Sequence, residues 1–284
     1  MTKNQSMNPY LNSEFQDLAA VAEQFKAQYT SAQPFPSISF KNFFNPDFLS
    51  SVLEEFPDLS KAAASQYNDT KQIKFEGKGE RPFGINTKQL MHFLNSEPFL
   101  EFLQSLTSIK ETLLGDPYFV GGGMHEIKPG GLLKVHADFN KHPKTNLDRR
   151  INVLVYLNKD WQESYGGHFE LWDKDMKACV HKILPEFNTL AMFSTTDFSY
   201  HGHPNPLSCP PDRSRKSLAL YYYSNGRPAE EINPELTKHS TLWKAREGDQ
   251  ADAVALKLNS KQKIKKLVEG ITPPVIYKAL NKKK

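Results

Sequence analysis

The stretch from residue 149 to residue 171, RRINVLVYLNKDWQESYGGHFEL, decides the fold that the sequence predicts. It begins with a run in which every second residue is apolar: Ile151, Val153, Val155 and Leu157. Because side chains alternate across a strand, these residues form one apolar face, which we expect to pack on helices. Asn152 and Tyr156 share the opposite face, where buried polar groups need hydrogen-bond partners.

The sequence divides into three zones, and this strand lies in the second of them. Short apolar runs separated by turn signals fill 115–225, a spacing typical of a β-sandwich or jelly roll. The zone 1–114 is predicted to be mostly helical, with helices over 12–29, from Pro46 and over 88–106, and an edge strand over 37–40. Between them, 62–82 is polar without clear period, and we expect a mobile loop that approaches a site. The zone 226–284 is predicted to be helical again.

The composition indicates a soluble globular protein, with 38% hydrophobic and 24% charged residues. Two cysteines make no disulfide framework, and no apolar run approaches the roughly 20 residues that span a bilayer. The polar start lacks the pattern of a signal peptide, so we expect a cytoplasmic location. Residues 255–284 carry nine lysines and one acid, so the net charge of +4 combines a basic tail with a mildly acidic body. That distribution argues against a nucleic-acid partner.

Two separated motifs supply candidate metal ligands. In His136-Ala137-Asp138 the two polar side chains point to one face of a strand, so both can meet one metal ion. One histidine of His201-Gly202-His203 completes two histidines and one carboxylate, the facial set of non-haem Fe(II) oxygenases. Taken alone, His136 and Asp138 are explained as well by a hydrogen-bonded strand end. Strand geometry does not choose between His201 and His203.

The strand that begins at Arg215 offers a site for an anion. Its odd positions begin with Arg215, Ser217 and Ala219, and small residues beside an arginine leave room for a ligand. A buried arginine needs an anion, and its planar fork suits a carboxylate of a ligand or of the protein itself. The Tyr156 hydroxyl can share a ligand carboxylate inside the same barrel, although a core tyrosine gives the same pattern.

Together these residues resemble the 2-oxoglutarate- and Fe(II)-dependent oxygenases, specifically their prolyl 4-hydroxylase-like branch. The order His-x-Asp, distal histidine and arginine is the pattern of that superfamily. More specific is the run from Tyr156 to Trp161 followed by Gly166-Gly167, which is similar to the YLNxxW…GG segment of the hypoxia-factor prolyl hydroxylases and their bacterial relatives. The resemblance covers about 115–225, with a weaker match to the helical lead-in of bacterial members over 40–57.

The resemblance implies a mainly β fold with flanking α. Its core is a double-stranded β-helix (jelly roll) over 115–225, supported by N-terminal helices over 1–114 and followed by a helical, Lys-rich tail over 226–284. His136, Asp138 and His201 are the implied ligands of Fe(II). Tyr156, Arg215 and Asn152 are assigned to 2-oxoglutarate. The gap between His201 and Arg215 is longer than usual in the family, which leaves Arg213 and Lys216 as alternatives to Arg215.

The implied reaction is hydroxylation of an unactivated C–H bond, most simply of a peptidyl proline, with O2 as oxidant and ascorbate as a candidate reductant. Related halogenases replace the carboxylate, so the presence of Asp138 favours hydroxylation. One alternative keeps the chemistry but changes the substrate to a small molecule, sugar or lipid. Another is a non-catalytic jelly-roll binding module, metal-free or zinc-bound. The basic tail is either two surface helices with solvated lysines or an arm for anionic surfaces. The oligomeric state stays unknown.

Overall fold

The computed structural model describes residues 7–62 and 64–256, and its core consists of two antiparallel sheets. The seven-stranded sheet has the order β1-β9-β6-β11-β4-β3-β2, and the five-stranded sheet has the order β12-β5-β10-β7-β8. The strands are β1 (Ser37–Lys41), β2 (Ala64–Asn68), β3 (Ile73–Gly77), β4 (Gly123–Ile127), β5 (Leu133–Ala137), β6 (Asp148–Tyr156), β7 (Phe169–Trp172), β8 (Cys179–Ile183), β9 (Thr189–Ser194), β10 (His201–His203), β11 (Arg215–Ser224) and β12 (Leu242–Trp243). The helices are α1 (Leu18–Ser31), α2 (Pro46–Glu54), α3 (Ile85–Leu94) and α4 (Glu97–Thr107). The predicted combination of a mainly β fold with flanking helices is confirmed.

The four helices cover the outer face of the larger sheet. The main hydrophobic core joins their buried residues, such as Leu49 and Phe99, to Ile151 and Val153 of β6. Tyr156, on the opposite face of β6, belongs to a second cluster with Phe169 and Phe193 between the sheets. The alternation predicted for β6 is therefore confirmed: one face packs on helices, and the other lines the interior of the barrel.

Two helix boundaries differ from the prediction. Asn12 caps only a short 3-10 turn, Ser13–Phe15, and α1 begins after Asp17, whose side chain accepts a hydrogen bond from the backbone N–H of Ala20. The predicted helix over 88–106 is two helices, α3 and α4. Pro98 explains the break, because it has no N–H to donate to the carbonyl of Leu94.

The segment 62–82 is not the irregular loop that the sequence predicts, which corrects that part of the prediction, but it does approach the site described below, because Lys74 lines its cavity. Residues 64–77 form the hairpin of β2 and β3, in which Ala64 pairs with Gly77 and Asn68 with Ile73. β3 in turn pairs with β4 through Phe75 and Glu126. Pairing with a strand far along the chain, rather than local periodicity, gives this polar segment its structure.

The described part of the zone 226–284 is also not simply helical, which corrects that prediction. Residues 226–243, here called the C-terminal strap, contain a 3-10 turn, Ala229–Glu231, and then β12. β12 pairs with β5, so that Trp243 lies opposite His136. The unpaired edge of β5 provides backbone partners that a sequence pattern does not reveal. Residues 250–256 are helical, and the remaining lysine-rich tail lies outside the described residues.

Buried ion pairs hold the strap against the barrel. Glu231 contacts Arg150 at 3.2 Å, and His239 contacts Asp197 at 2.9 Å. Arg227 hydrogen-bonds to the backbone carbonyls of Arg149 and Thr195. In the part of the chain that the structure describes, none of the helices has both the length and the apolar character needed to cross a membrane.

Candidate metal centre and its cavity

The structure brings His136, Asp138 and His201 together between the two sheets. One potential ligand atom from each residue lies within 4.8 Å of the other two. Antiparallel pairing of β5 with β10 places His136 directly opposite His201, and Asp138 follows the end of β5. Two imidazoles and one carboxylate on one side of a centre fit a facially bound Fe(II) ion. His203 is not a member of this group.

Each histidine of the group is held with one ring nitrogen free for a metal. Nδ1 of His136 lies 2.8 Å from the Lys134 carbonyl oxygen, and Nδ1 of His201 lies 2.9 Å from that of Ser199. These contacts favour the tautomer whose Nε2 carries the lone pair. Both Nε2 atoms face Asp138, each at 3.5 Å from one of its carboxylate oxygens. Burial lowers the pKa of His201 to about 4, so its imidazole is neutral at pH 7.

Asp138 is oriented by two residues of β6. Nη2 of Arg149 lies 3.0 Å from Oδ2 of Asp138, and Nδ2 of Asn152 donates to the same oxygen at 2.7 Å. Arg149 also donates two hydrogen bonds to Oδ1 of Asn152 and stacks on Tyr221, with 3.4 Å between its guanidinium carbon and the ring centroid. Burial raises the pKa of Asp138, but Arg149 and the two histidines outweigh it and hold that pKa well below its usual range. The carboxylate is therefore ionised, as a metal ligand must be.

Asn152, which was predicted to bind the cosubstrate, lines the cavity and also contacts two residues of the site. Both its amide oxygen and its amide nitrogen are engaged, by Arg149 and Asp138 respectively. Arg149 was not predicted at all. The sequence did contain a signal, because Arg149 stands directly before an apolar run. In the structure this arginine is fully buried, with 1% of its surface exposed.

A cavity of about 80 Å³ leads from this group to the buried end of Arg215. Besides the three candidate ligands, its polar lining includes Lys74, His125, Asn152, His203, Arg215, Ser217 and Tyr221. Arg215 donates from Nη2 to the Tyr156 hydroxyl oxygen at 3.2 Å and from Nε to the Gly167 carbonyl at 2.8 Å. Among the described residues these two contacts are neutral and Arg215 has no carboxylate partner, and burial lowers its pKa. A buried guanidinium in this state needs an anion from outside the protein.

The predicted YLNxxW…GG segment builds the support of Arg215. The Asn158 amide oxygen accepts a hydrogen bond from the backbone N–H of Lys216 at 2.7 Å, which fixes the start of β11. Nε1 of Trp161 donates to the Gly166 carbonyl at 3.0 Å, and the next carbonyl, that of Gly167, receives Nε of Arg215. The hydrogen bonds of the motif therefore fix both the start of β11 and the Arg215 side chain.

The alternatives to Arg215 point elsewhere. Arg213 donates to the backbone carbonyl of Lys159 on the surface. Lys216 lies on the other face of β11, where Nζ contacts Ser214 at 2.6 Å. Of the three basic residues, Arg215 alone lines the cavity, together with Ser217 from the same strand face.

Aromatic rings, among them those of Trp243 and Phe193, surround the candidate metal-binding histidines. The Trp243 ring lies 5.0 Å from that of His136, and the Phe193 ring lies 4.6 Å from that of His201. Trp243 belongs to β12, whose pairing the sequence did not indicate. A wider groove of about 680 Å³ between α1 and α4 contains none of the predicted site residues.

Comparisons with known proteins agree with this geometry. Residues 122–223 match the family model of the 2OG-Fe(II) oxygenase superfamily. The prolyl 3-hydroxylase OGFOD1 of Xenopus laevis is 26% identical over 190 residues, which cover 65% of this chain and 34% of that protein. This chain thus spans about a third of the length of that relative.

Two solved structures share the architecture. A Pseudomonas putida prolyl-4-hydroxylase has a TM-score of 0.54 at 16% identity, covering 74% of this chain and 100% of that chain. A prolyl hydroxylase from Trichoplax adhaerens, solved in complex with a hypoxia inducible factor oxygen degradation domain peptide fragment, has a TM-score of 0.55 at 18% identity, covering 74% and 92%. At these identities the likeness concerns the fold, and it confirms the predicted double-stranded β-helix core.

Proposed function

We propose that this chain, whose residues 122–223 match the family model of the 2OG-Fe(II) oxygenase superfamily, is a Fe(II)- and 2-oxoglutarate-dependent hydroxylase of the prolyl hydroxylase type. One observation carries the proposal. A buried arginine without a carboxylate partner shares a narrow cavity with two histidines and an aspartate that converge on one point. A dicarboxylate that reaches from a metal to Arg215 satisfies both ends of that cavity.

Each residue has a defined task in this proposal. His136, Asp138 and His201 hold Fe(II), which supplies the oxidising chemistry with O2 and 2-oxoglutarate when bound. Arg215 receives the distal carboxylate, and Tyr156 can donate its hydroxyl proton to the same group because its oxygen already accepts from Arg215. Burial keeps water away from the reacting bond. The balanced reaction is R–H + O2 + 2-oxoglutarate → R–OH + succinate + CO2.

We propose a proline residue in a peptide as the substrate. Its support is the naming of the relatives, which include one prolyl 3-hydroxylase and prolyl 4-hydroxylases. The test is succinate release from 2-oxoglutarate under air with Fe(II), with and without proline-containing peptides. Amino-acid analysis of a peptide that gains one oxygen atom separates 3-hydroxyproline from 4-hydroxyproline. Asp138→Ala is the matched control, and we expect it to release no succinate.

The outcomes separate the alternatives. Succinate release stimulated only by a small molecule, sugar or lipid keeps the chemistry and overturns the peptide substrate. Absence of 2-oxoglutarate binding to the metal-loaded protein overturns the enzyme and leaves a binding module. Stimulation of turnover by ascorbate, with no effect on a single turnover, would support ascorbate as reductant.

Partner and location remain part of this proposal. The tail beyond residue 256 supplies the proposed weak contact with an anionic surface, because each lysine near an anionic membrane contributes about 1 kcal/mol. A chain ending at residue 256 should keep 2-oxoglutarate turnover and lose salt-sensitive co-sedimentation with phosphatidylserine vesicles. Equal co-sedimentation of the two chains would refute the arm. Cytoplasmic location is proposed from the sequence and is tested by fractionation.

A further inference from the structure

His203 is the buried polar side chain that the proposed function does not yet use. Its exposed fraction is 3%, and neither ring nitrogen has a partner of good hydrogen-bond geometry within the described residues, although the Asn205 backbone is close enough to raise the pKa of the imidazole. Leaving a buried polar group without a partner is costly, so such groups normally have one. A valine or leucine would fill this strand position at no such cost. The imidazole therefore implies a partner that is not part of the protein.

The position of His203 indicates which partner this is. His203 lines the same cavity as Arg215 and Ser217. Besides burial, the positive charges of Arg215, His136 and Lys74 lower the pKa of His203, so cations and not acids surround the imidazole. A protein acid between Arg215 and His203 is lacking among the described residues. An anion bound by Arg215 is thus within the surroundings of the imidazole.

We propose that His203 binds the distal carboxylate of 2-oxoglutarate together with Arg215, by donating one ring N–H to it. This inference rests on the proposed function and adds a cosubstrate-binding residue to it. A carboxylate has about four lone-pair directions, and Arg215 with Tyr156 leaves some of them free. The role also explains why the strand carries a second histidine that is not a metal ligand.

The test measures binding rather than turnover. Anaerobic calorimetry on the full chain loaded with Mn(II) gives dissociation constants for 2-oxoglutarate and for 2-oxobutanoate, which lacks the distal carboxylate. We expect His203→Leu to weaken 2-oxoglutarate binding about 10-fold or more, the usual loss for a hydrogen bond to a charged group. Binding of 2-oxobutanoate should stay the same. A structural defect would weaken both ligands equally.

Two further variants keep the test decisive. His203→Asn and His203→Gln place an amide N–H near the positions of Nδ1 and Nε2, and one of them should recover most of the 2-oxoglutarate affinity. If His203→Leu does not fold, His203→Asn and His203→Gln still provide the test. His125→Leu is the matched control, because His125 lines the same cavity but already contacts the Gly121 carbonyl. It should not distinguish the two ligands.

The results that overturn the inference differ from those that overturn the proposed function. Wild-type protein that binds no 2-oxoglutarate refutes the proposed function. Wild-type protein that binds it, with unchanged affinity in His203→Leu, refutes only the role of His203. An equal, 2-oxoglutarate-specific loss in His125→Leu would mean that the cavity's polarity, and not a contact from His203, is responsible, and would also refute the role.

Discussion

Adding one methyl group at Gly167 should weaken the proposed anion site by displacing Arg215, without removing any group that contacts the anion. The backbone of Gly167 has φ +73°, and a Cβ there would lie 2.5 Å from Cδ2 of Leu207 and 3.1 Å from Cδ of Arg215. At 2.5 Å the Leu207 side chain must move. The contact at 3.1 Å is with Arg215, whose Nε donates a hydrogen bond to the Gly167 carbonyl. Gly166 has a similar φ of +68° and nothing within 4 Å of a Cβ. Gly166→Ala is therefore a matched control for backbone strain.

Both variants should lose about 1–3 kcal/mol of folding free energy, because an L-residue is strained at positive φ, and Gly166, with ψ −148°, lies in a region that is essentially restricted to glycine. Only Gly167→Ala should also displace Arg215. Loss of a charge-assisted contact of about 1.5–3 kcal/mol corresponds to about 10- to 150-fold weaker 2-oxoglutarate binding. Thermal unfolding measures the first effect, and calorimetry with Mn(II) measures the second. Equal 2-oxoglutarate affinities for the two variants would show that Gly167 does not position Arg215.

Three other predictions concern separate parts of the molecule. Arg215→Lys should weaken 2-oxoglutarate binding by about 10-fold or more, since an ammonium group cannot make a bidentate fork; an unchanged dissociation constant would exclude the role. Burial lowers the pKa of His239, but the hydrogen bond to Asp197 outweighs it and raises that pKa above 6.5. Stabilisation by this pair is complete below about pH 6.5 and is lost as the pH rises through the folded-state pKa, so melting temperature should fall between about pH 6 and pH 8 in wild type and less in His239→Gln. Trp243→Leu should weaken Mn(II) binding while Trp243→Phe retains it, because only an aromatic ring packs on the imidazole of His136; equal affinities would refute that contact.

The sequence was sufficient where periodicity and side-chain chemistry act within one strand. Alternation in β6 correctly separated the helix-facing residues from Tyr156, which lies between the sheets. The spacing of turn signals indicated the jelly roll. Residue types and spacing indicated His136 and Asp138, the resemblance to the oxygenase family selected His201, and the three lie together in the structure.

What the sequence did not reveal depends on pairing between distant segments. The polar hairpin of β2 and β3 owes its structure to β4, and β12 owes its structure to the edge of β5. Arg149 was missed because an arginine at a strand start usually lies in solvent, whereas here Asp138 and the Tyr221 ring compensate for its burial. The setting of His203 required knowing that its neighbours leave both ring nitrogens without partners.

The strap has a consequence for protease sensitivity. Trp243 lies beyond the matched region 122–223, yet its strand closes one edge of β5 beside His136, and the Lys244 N–H continues that ladder by donating to the Val135 carbonyl at 3.0 Å. Proteolysis at one site between residues 226 and 241 would break the covalent connection between β11 and β12. The proposed metal ion would bind His136 best while β12 is paired with β5. Its binding should therefore also stabilise the pairing of β12 with β5. Metal loading and resistance of the strap to proteolysis should therefore rise together.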